Sequence, residues 1–286
     1  MEMRKFIYLF IYVWSVAFLL TSCHEDEPIN PHKPEIVVEG WIADGSYPIV
    51  FVTSTIPITS DDTPVDSLAN FVARWARVSV TVDGQTTFLT GMYDPDYFPP
   101  YVFTTTGVKG EAGKTYHLSV DWRGQHAEAT TTVLAPVPID EIWTEPCSES
   151  DTLRQIGIRF QDPAETHNHY LLFYRLAEDP LNPSLSMLGT IDNAVLNSHD
   201  VTLYARQSNA MFKDDYIAYF PIGSFVQISL ARVDDVCFQF WRSVQDNKLL
   251  GNSPIFNISS IAHGNVRGGH GIWYGCGLSQ RQIVVE

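Results

Sequence analysis

Between residues 35 and 135 apolar side chains recur at every second position, the period of strands with a buried face. Residues 36–42 open the series, with Gly40 as a break, and residues 47–56 are β-branched and aromatic almost throughout. Val78, Val80 and Val82 alternate with Ser79 and Thr81, and Asp83-Gly84 predicts a two-residue hairpin turn into residues 86–90. Residues 101–106 and 115–122 continue the pattern, the second placing Tyr116, Leu118, Val120 and Trp122 on one face, before Gly124 turns into residues 125–133. About seven short strands separated by Gly, Pro and Asp turns predict a β-sandwich, and no helix of normal length fits.

Ala135-Pro136-Val137-Pro138 reads as a hinge, so a second domain is expected from residue 136 to residue 286. Strand signals return at residues 139–143, 155–160, 170–176, 201–204 and 224–233, with a closing strand at 281–285. Residues 178–200 hold Pro180, Pro183, Gly189 and Asn193 and read as a long turn-rich excursion. The period changes only near 234–248. There Asp234 or Asp235 can cap a helix, Val236, Phe240 and Val244 form a stripe beside Cys237 and Trp241, and Asn247, Lys248 and Gly251 mark the end. The expected fold class is therefore mainly β: an N-terminal sandwich over residues 35–135, then a second β-rich domain with one amphipathic helix.

The N-terminus follows another logic. Arg4 and Lys5 precede an apolar run over residues 6–20 that closes on Leu20-Thr21-Ser22-Cys23. A charged start, an apolar stretch of about 15 residues and small residues at the end make a secretory signal over residues 1–22. The run is short for a bilayer span of roughly 20 residues. Leu-Thr-Ser-Cys resembles the bacterial lipobox, which implies lipidation of Cys23 as the mature N-terminus. Two or three acyl chains on one residue anchor a protein stably. His24-Glu25-Asp26-Glu27 resembles the acidic surface-export signal of Bacteroidota lipoproteins, and the proline-rich remainder of residues 23–34 reads as an extended tether.

Charge narrows the partners. The 286 residues carry a net charge of −15. Residues 23–286 hold 16 basic and 32 acidic side chains, a net −16 that repels nucleic acid and anionic lipid headgroups. With Cys23 assigned to lipid, Cys147, Cys237 and Cys276 remain. They allow one disulfide at most, contain no C-x-x-C spacing, and read as free thiols packed as small hydrophobes.

Three landmarks carry a resemblance: Val37-Val38-Glu39-Gly40-Trp41-Ile42, Ala76-Arg77-Val78-Ser79-Val80-Thr81, and Gly113-Lys114-Thr115-Tyr116-His117-Leu118-Ser119-Val120. In this order behind a lipobox they look like a Bacteroidota outer-membrane lipoprotein family known as domain of unknown function 4249. The C-terminal part resembles it too, in the Pro254-Ile255-Phe256-Asn257 segment after the helix, the glycine-rich turn at 268–271 before Trp273, and the closing strand. His270 and Cys276 stand where acidic or small residues are expected. The resemblance implies an Ig-like or transthyretin-like sandwich first, attachment to the outer membrane with the protein facing the cell surface, and service to a TonB-dependent transporter.

The chemistry legible in the sequence is sparse. The glycine cluster at 268–271 lacks the Lys-Ser/Thr of a phosphate loop, and there is no G-x-S-x-G elbow. No cofactor, catalytic or metal site is assigned. His167 and His169 share a strand face and can be imagined with His270 as a His₃ set, but read as solvent-facing turn residues; Asp61, Asp62, Asp94 and Asp96 lack the EF-hand spacing. Two long loops, 57–70 and 91–100, are candidate binding surfaces. In the second, Tyr93, Tyr97 and Phe98 mix with Asp94 and Asp96, the composition of a sugar- or protein-binding loop. The expected function is a non-enzymatic binding or accessory module for nutrient uptake. The alternatives are a surface hydrolase with a carboxylate pair on different loops and an adhesin or structural envelope subunit.

Overall fold

The computed structural model describes residues 33–55, 71–148, 150–163, 166–177, 179–196, 198–208, 218–250 and 264–286. The signal stretch 1–22, Cys23, the acidic cluster, nearly all of the tether, loop 57–70 and the 252–258 segment lie outside them. The first described strand, β1 (Ile36–Ala43), has neighbours from opposite ends of the chain. It pairs antiparallel with β2 (Ile49–Ser54) and parallel with the last strand, β16 (His270–Val284). Beyond β2 lie β6 (Tyr101–Thr104) and β5 (Thr90–Tyr93). Beyond β16 lie β15 (Phe225–Val233), β11 (His169–Leu176) and β12 (Asp179–Asp192). The result is one eight-stranded sheet in the order β12-β11-β15-β16-β1-β2-β6-β5.

β16 allows this because it has 15 residues, about 50 Å at 3.3 Å per residue. Residues 270–276 pair with 37–43, and residues 277–284 pair with 225–232. The chain segment between the two halves of the protein crosses it where the pairing changes. A Cβ on Gly277 would stand 2.3 Å from the Ala135 carbonyl oxygen, so only glycine admits that crossing.

Two smaller sheets cover one face of the large one. The first runs β4 (Gln85–Phe88), β3 (Arg77–Val82), β7 (Thr115–Trp122), β8 (Gln125–Thr132). Its Val78, Val80, Leu118 and Val120 meet Val38, Ile42, Val50 and Phe103, with Trp273 of β16 fully buried among them. The second places β10 (Leu153–Gln161) between β9 (Glu141–Pro146) on one edge and β13 (Asp200–Ala205) and β14 (Phe220–Pro221) on the other. Ile156, Ile158 and Phe160 pack there on Tyr170, Leu172, Val226 and Ile228. The cores change between Val133 and Val137. The protein is mainly β, two sandwiches sharing one sheet.

The sheet's other face carries the one long helix among the described residues, α1 (Asp235–Leu250). Asp234 caps it, its Oδ1 accepting the Cys237 N–H at 2.8 Å. Cys237 and Phe238 bury against Leu171, Phe173, Ala231, Ile272 and Tyr274, with Phe240 and Trp241 half-buried beside them. Val236 is 44% exposed, so the packing face is rotated from the expected 236/240/244 stripe toward Cys237, Phe238 and Trp241. Cys237 and Cys276 are buried free thiols and burial pushes both up, Cys276 to about 12; Cys147 is free but half-buried.

Two segments depart from expectation. The turn-rich stretch 178–200 contains β12, a 14-residue edge strand. Pro180 and Pro183 are tolerated because an edge strand has one side without ladder bonds, and irregular pairing with β11 absorbs the rest. The glycine-rich turn expected at 268–271 is a turn only at Gly268 and Gly269, and β16 begins at His270.

Candidate functional site

A strand whose two faces are both apolar has neighbours on both sides. In β1, Val38 and Ile42 enter the first sandwich core, while Trp41 and Ala43 turn to the helix-bearing face. The same alternation brings Tyr274, Cys276, Leu278 and Gln280 of β16 to that face, beside Gln227, Ser229 and Ala231 of β15 and Phe173 and Arg175 of β11. Where α1 leaves them uncovered they floor a groove of about 160 Å³, bounded by Trp241 of α1 and by Tyr97 of the 91–100 loop.

The groove is chiefly aromatic. Trp41 stands 6.3 Å from Tyr97 and 6.4 Å from Tyr274, ring centre to ring centre, and Phe51 lies 5.9 Å behind Trp41. Phe173 meets Trp241 edge to face at 5.5 Å. Polar groups also line it: Glu39, Arg175, Gln227, Ser229 and Gln280. The Trp241 Nε1 donor and the Gln245 Oε1 acceptor, one helical turn apart, are buried with no hydrogen-bond partner among the described residues. Burial, reinforced by Asp94, raises the Tyr97 pKa, and burial raises that of Tyr274 well above the ordinary range, so both phenols remain neutral. Such a surface can stack the apolar face of a sugar ring or hold an aromatic or proline side chain, with the polar groups fixing orientation.

Of the sequence-derived candidates, Tyr97 alone enters the groove. Asp96 borders an adjoining, more open cavity of about 230 Å³ that shares Arg175 and Gln227 with it. Arg175 Nη2 donates to the Asp96 carbonyl at 2.9 Å and so ties the loop to β11. The Asp94 carboxylate accepts the Asp96 N–H at 3.0 Å and shapes the turn. Tyr93 belongs to β5, 67% exposed, and Phe98 precedes the cis-Pro99; neither lines the groove. The sequence reading missed Trp41, Trp241 and Tyr274. The signal for Trp41 was there, since Trp41 alternates with Val38, Gly40 and Ile42 in a strand too apolar to have a solvated face.

A family model described as Domain of unknown function (DUF4249) matches residues 25–282. The chain belongs to the DUF4249 family. No curated protein matches it. Among solved structures, a two fibronectin type-III domain segment from chicken tenascin is similar over 70% of this chain and 91% of that one, at 10% identity and a TM-score of 0.21. That likeness is too slight to add to the strand pairing described above.

The DUF4249 chain has a second polar cluster, at the edge of the large sheet. His167 Nε2 lies 2.7 Å from Asp192 Oδ1, and His169 Nε2 lies 3.7 Å from Asp192 Oδ2. His169 is buried, stacked on Phe238 at 4.3 Å, which corrects its reading as solvent-facing, while His167 is exposed as expected. His270 is not with them. It bonds Glu35 at 2.7 Å at the start of β16, so the imagined His₃ set does not form. Burial lowers the His169 pKa. Desolvation opposes the shift at Asp192, but the Ala194 N–H and His167 outweigh it and hold that carboxyl below its usual value.

Proposed function

We propose that this DUF4249 chain is a lipid-anchored outer-membrane protein, exposed at the cell surface, that captures a glycan or peptide in the aromatic groove and passes it to a TonB-dependent transporter. The groove carries this reading: aromatic rings gathered from β1, β16, α1 and the 91–100 loop, polar groups among them, and the buried Trp241 Nε1 without a partner among the described residues. Glu39 is the one carboxylate among the described residues lining it. Hydrolysis by a carboxylate pair needs two, about 5 to 9.5 Å apart, and this weighs the reading toward binding. The bulged, proline-bearing β12 edge is blunted against strand addition, which weighs against an adhesin that polymerises by that route.

The test is a binding screen of oligosaccharides and peptides against the wild type and Trp41→Ala. A ligand is expected that the wild type holds and Trp41→Ala binds at least about 30-fold more weakly, the loss of a central aromatic contact of about 2 kcal/mol. A ligand bound equally by both proteins overturns the groove as the site. Anchorage is tested separately. Mass spectrometry of the membrane-extracted protein is expected to find Cys23 as the first residue, carrying acyl chains, and an unacylated Cys23 overturns the anchor.

A further inference from the structure

The cluster at the sheet edge has the composition and the support of a cation site. His167 and His169 leave the chain on the same side, their rings 4.6 Å apart. Asp192 sits opposite His169 in the register of β11 and β12. Asp235, the first residue of α1, brings its Oδ1 to 4.0 Å from His169 Nε2. Ligand atoms of His167, His169 and Asp192 all fall within 4.8 Å of one another, and among the described residues they form the one such group of three.

We infer that His167, His169 and Asp192, with Asp235 as the fourth ligand, bind a divalent transition-metal ion of the zinc class. Zinc bonds to imidazole nitrogen and carboxylate oxygen of about 2.0–2.2 Å place tetrahedral ligands roughly 3.4 Å apart. The separations of 2.7 Å from His167 Nε2 to Asp192 Oδ1 and 3.7 Å from His169 Nε2 to Asp192 Oδ2 lie on either side of that value. Closing on an ion replaces the direct contact of His167 with Asp192, and the His167 side chain is 59% exposed. Two nitrogen ligands favour zinc and its transition-metal neighbours over calcium and magnesium, which prefer all-oxygen sites.

Support from behind the ligands distinguishes this cluster from a chance meeting of surface groups. Asp162, buried at the end of β10, accepts from Asn168 Nδ2 at 3.0 Å and from Asn193 Nδ2 at 2.9 Å. Those asparagines are the chain neighbours of His167 and His169 on one side and of Asp192 on the other. The Ala194 N–H fixes Asp192 Oδ1 at 2.8 Å, leaving Oδ2 toward His169. Phe238 stacks on His169 and sets its ring plane. Outer contacts of this kind orient metal ligands and are part of a site's affinity. An ion held here joins β11, β12 and α1, the helix whose Trp241 walls the groove, although the groove does not depend on it.

The experiment uses the full chain in detergent, stripped with a chelator and titrated with Zn²⁺ near neutral pH. The expected result is one Zn²⁺ per chain, a higher melting temperature with Zn²⁺ and none with Mg²⁺, and affinity at least about tenfold weaker in both His167→Ala and Asp192→Asn. His167 is exposed, so its replacement leaves the core intact, and Asn at 192 keeps the shape and the Ala194 bond. No saturable Zn²⁺ uptake, or uptake undiminished in either variant, overturns the assignment.

Discussion

Trp273→Ala lowers the free energy of unfolding by about 3–5 kcal/mol, the range for emptying a buried tryptophan site. The side chain has no exposed surface and sits at the centre of the first core, its Nε1 donating to the Tyr116 carbonyl at 3.3 Å. Its own backbone is clasped by Asn265, which accepts the Trp273 N–H at 2.9 Å and donates to its carbonyl at 2.7 Å. The ring lies among the buried side chains of the first core, so its removal opens a large void there. Because β16 also borders β15, the loss is felt in both sandwiches, and urea denaturation followed by circular dichroism is expected to show one shifted transition rather than two. A cost below about 1 kcal/mol shows that β16 does not hold the first core.

Asp162→Ala is expected to cost about 3–5 kcal/mol, the loss of several hydrogen bonds to a buried charged acceptor at about 1.5–3 kcal/mol each. Asp162 is 5% exposed and accepts bonds from Tyr170 Oη, Asn168 Nδ2 and Asn193 Nδ2, while its own N–H donates to the His199 carbonyl. Removing the carboxylate strands the buried Tyr170 hydroxyl and takes one bond each from Asn168 and Asn193, which keep backbone acceptors at Pro163 and Thr166. Burial, with Asp162 accepting its proton, pushes the Tyr170 hydroxyl far up, so that phenol stays a donor at all physiological pH. Thermal melting measures the loss, and hydrogen exchange is expected to localise it to the start of β11 and the end of β12. A variant that melts with the wild type contradicts the network's role.

Where the sequence was read correctly, local chemistry was enough to decide the structure. The β3–β4 hairpin was legible because Asp83 and Gly84 take φ of 51° and 75°, conformations that Asp and Gly tolerate and most residues do not. The strand Thr115–Trp122 was legible because one face is buried and the other is not. Where the reading failed, a distant segment decided. Gly271 was read as a turn residue, yet its place in β16 depends on β1: its φ is +105°, and a Cβ there would lie 1.8 Å from the Val38 carbonyl oxygen. β12 looked like a loop because its prolines are breakers anywhere except an edge, and nothing local says which strand lies at an edge. The groove was legible only at Tyr97, because its other walls come from strands and a helix far apart in the chain. Asp192 was invisible as a partner of His169 for the same reason.

The parallel pairing of β1 with β16 has a consequence for the order of events in folding. Val37 finds His270 across more than two hundred intervening residues, and contacts of such long range form late because the loop must close before they reward it. The first sandwich therefore lacks its central tryptophan, and the groove half its floor, until the final stretch of chain is in reach. For a polypeptide threaded unfolded through a membrane pore, as the proposed export requires, this built-in delay keeps the chain slack during passage and lets it lock only on the far side.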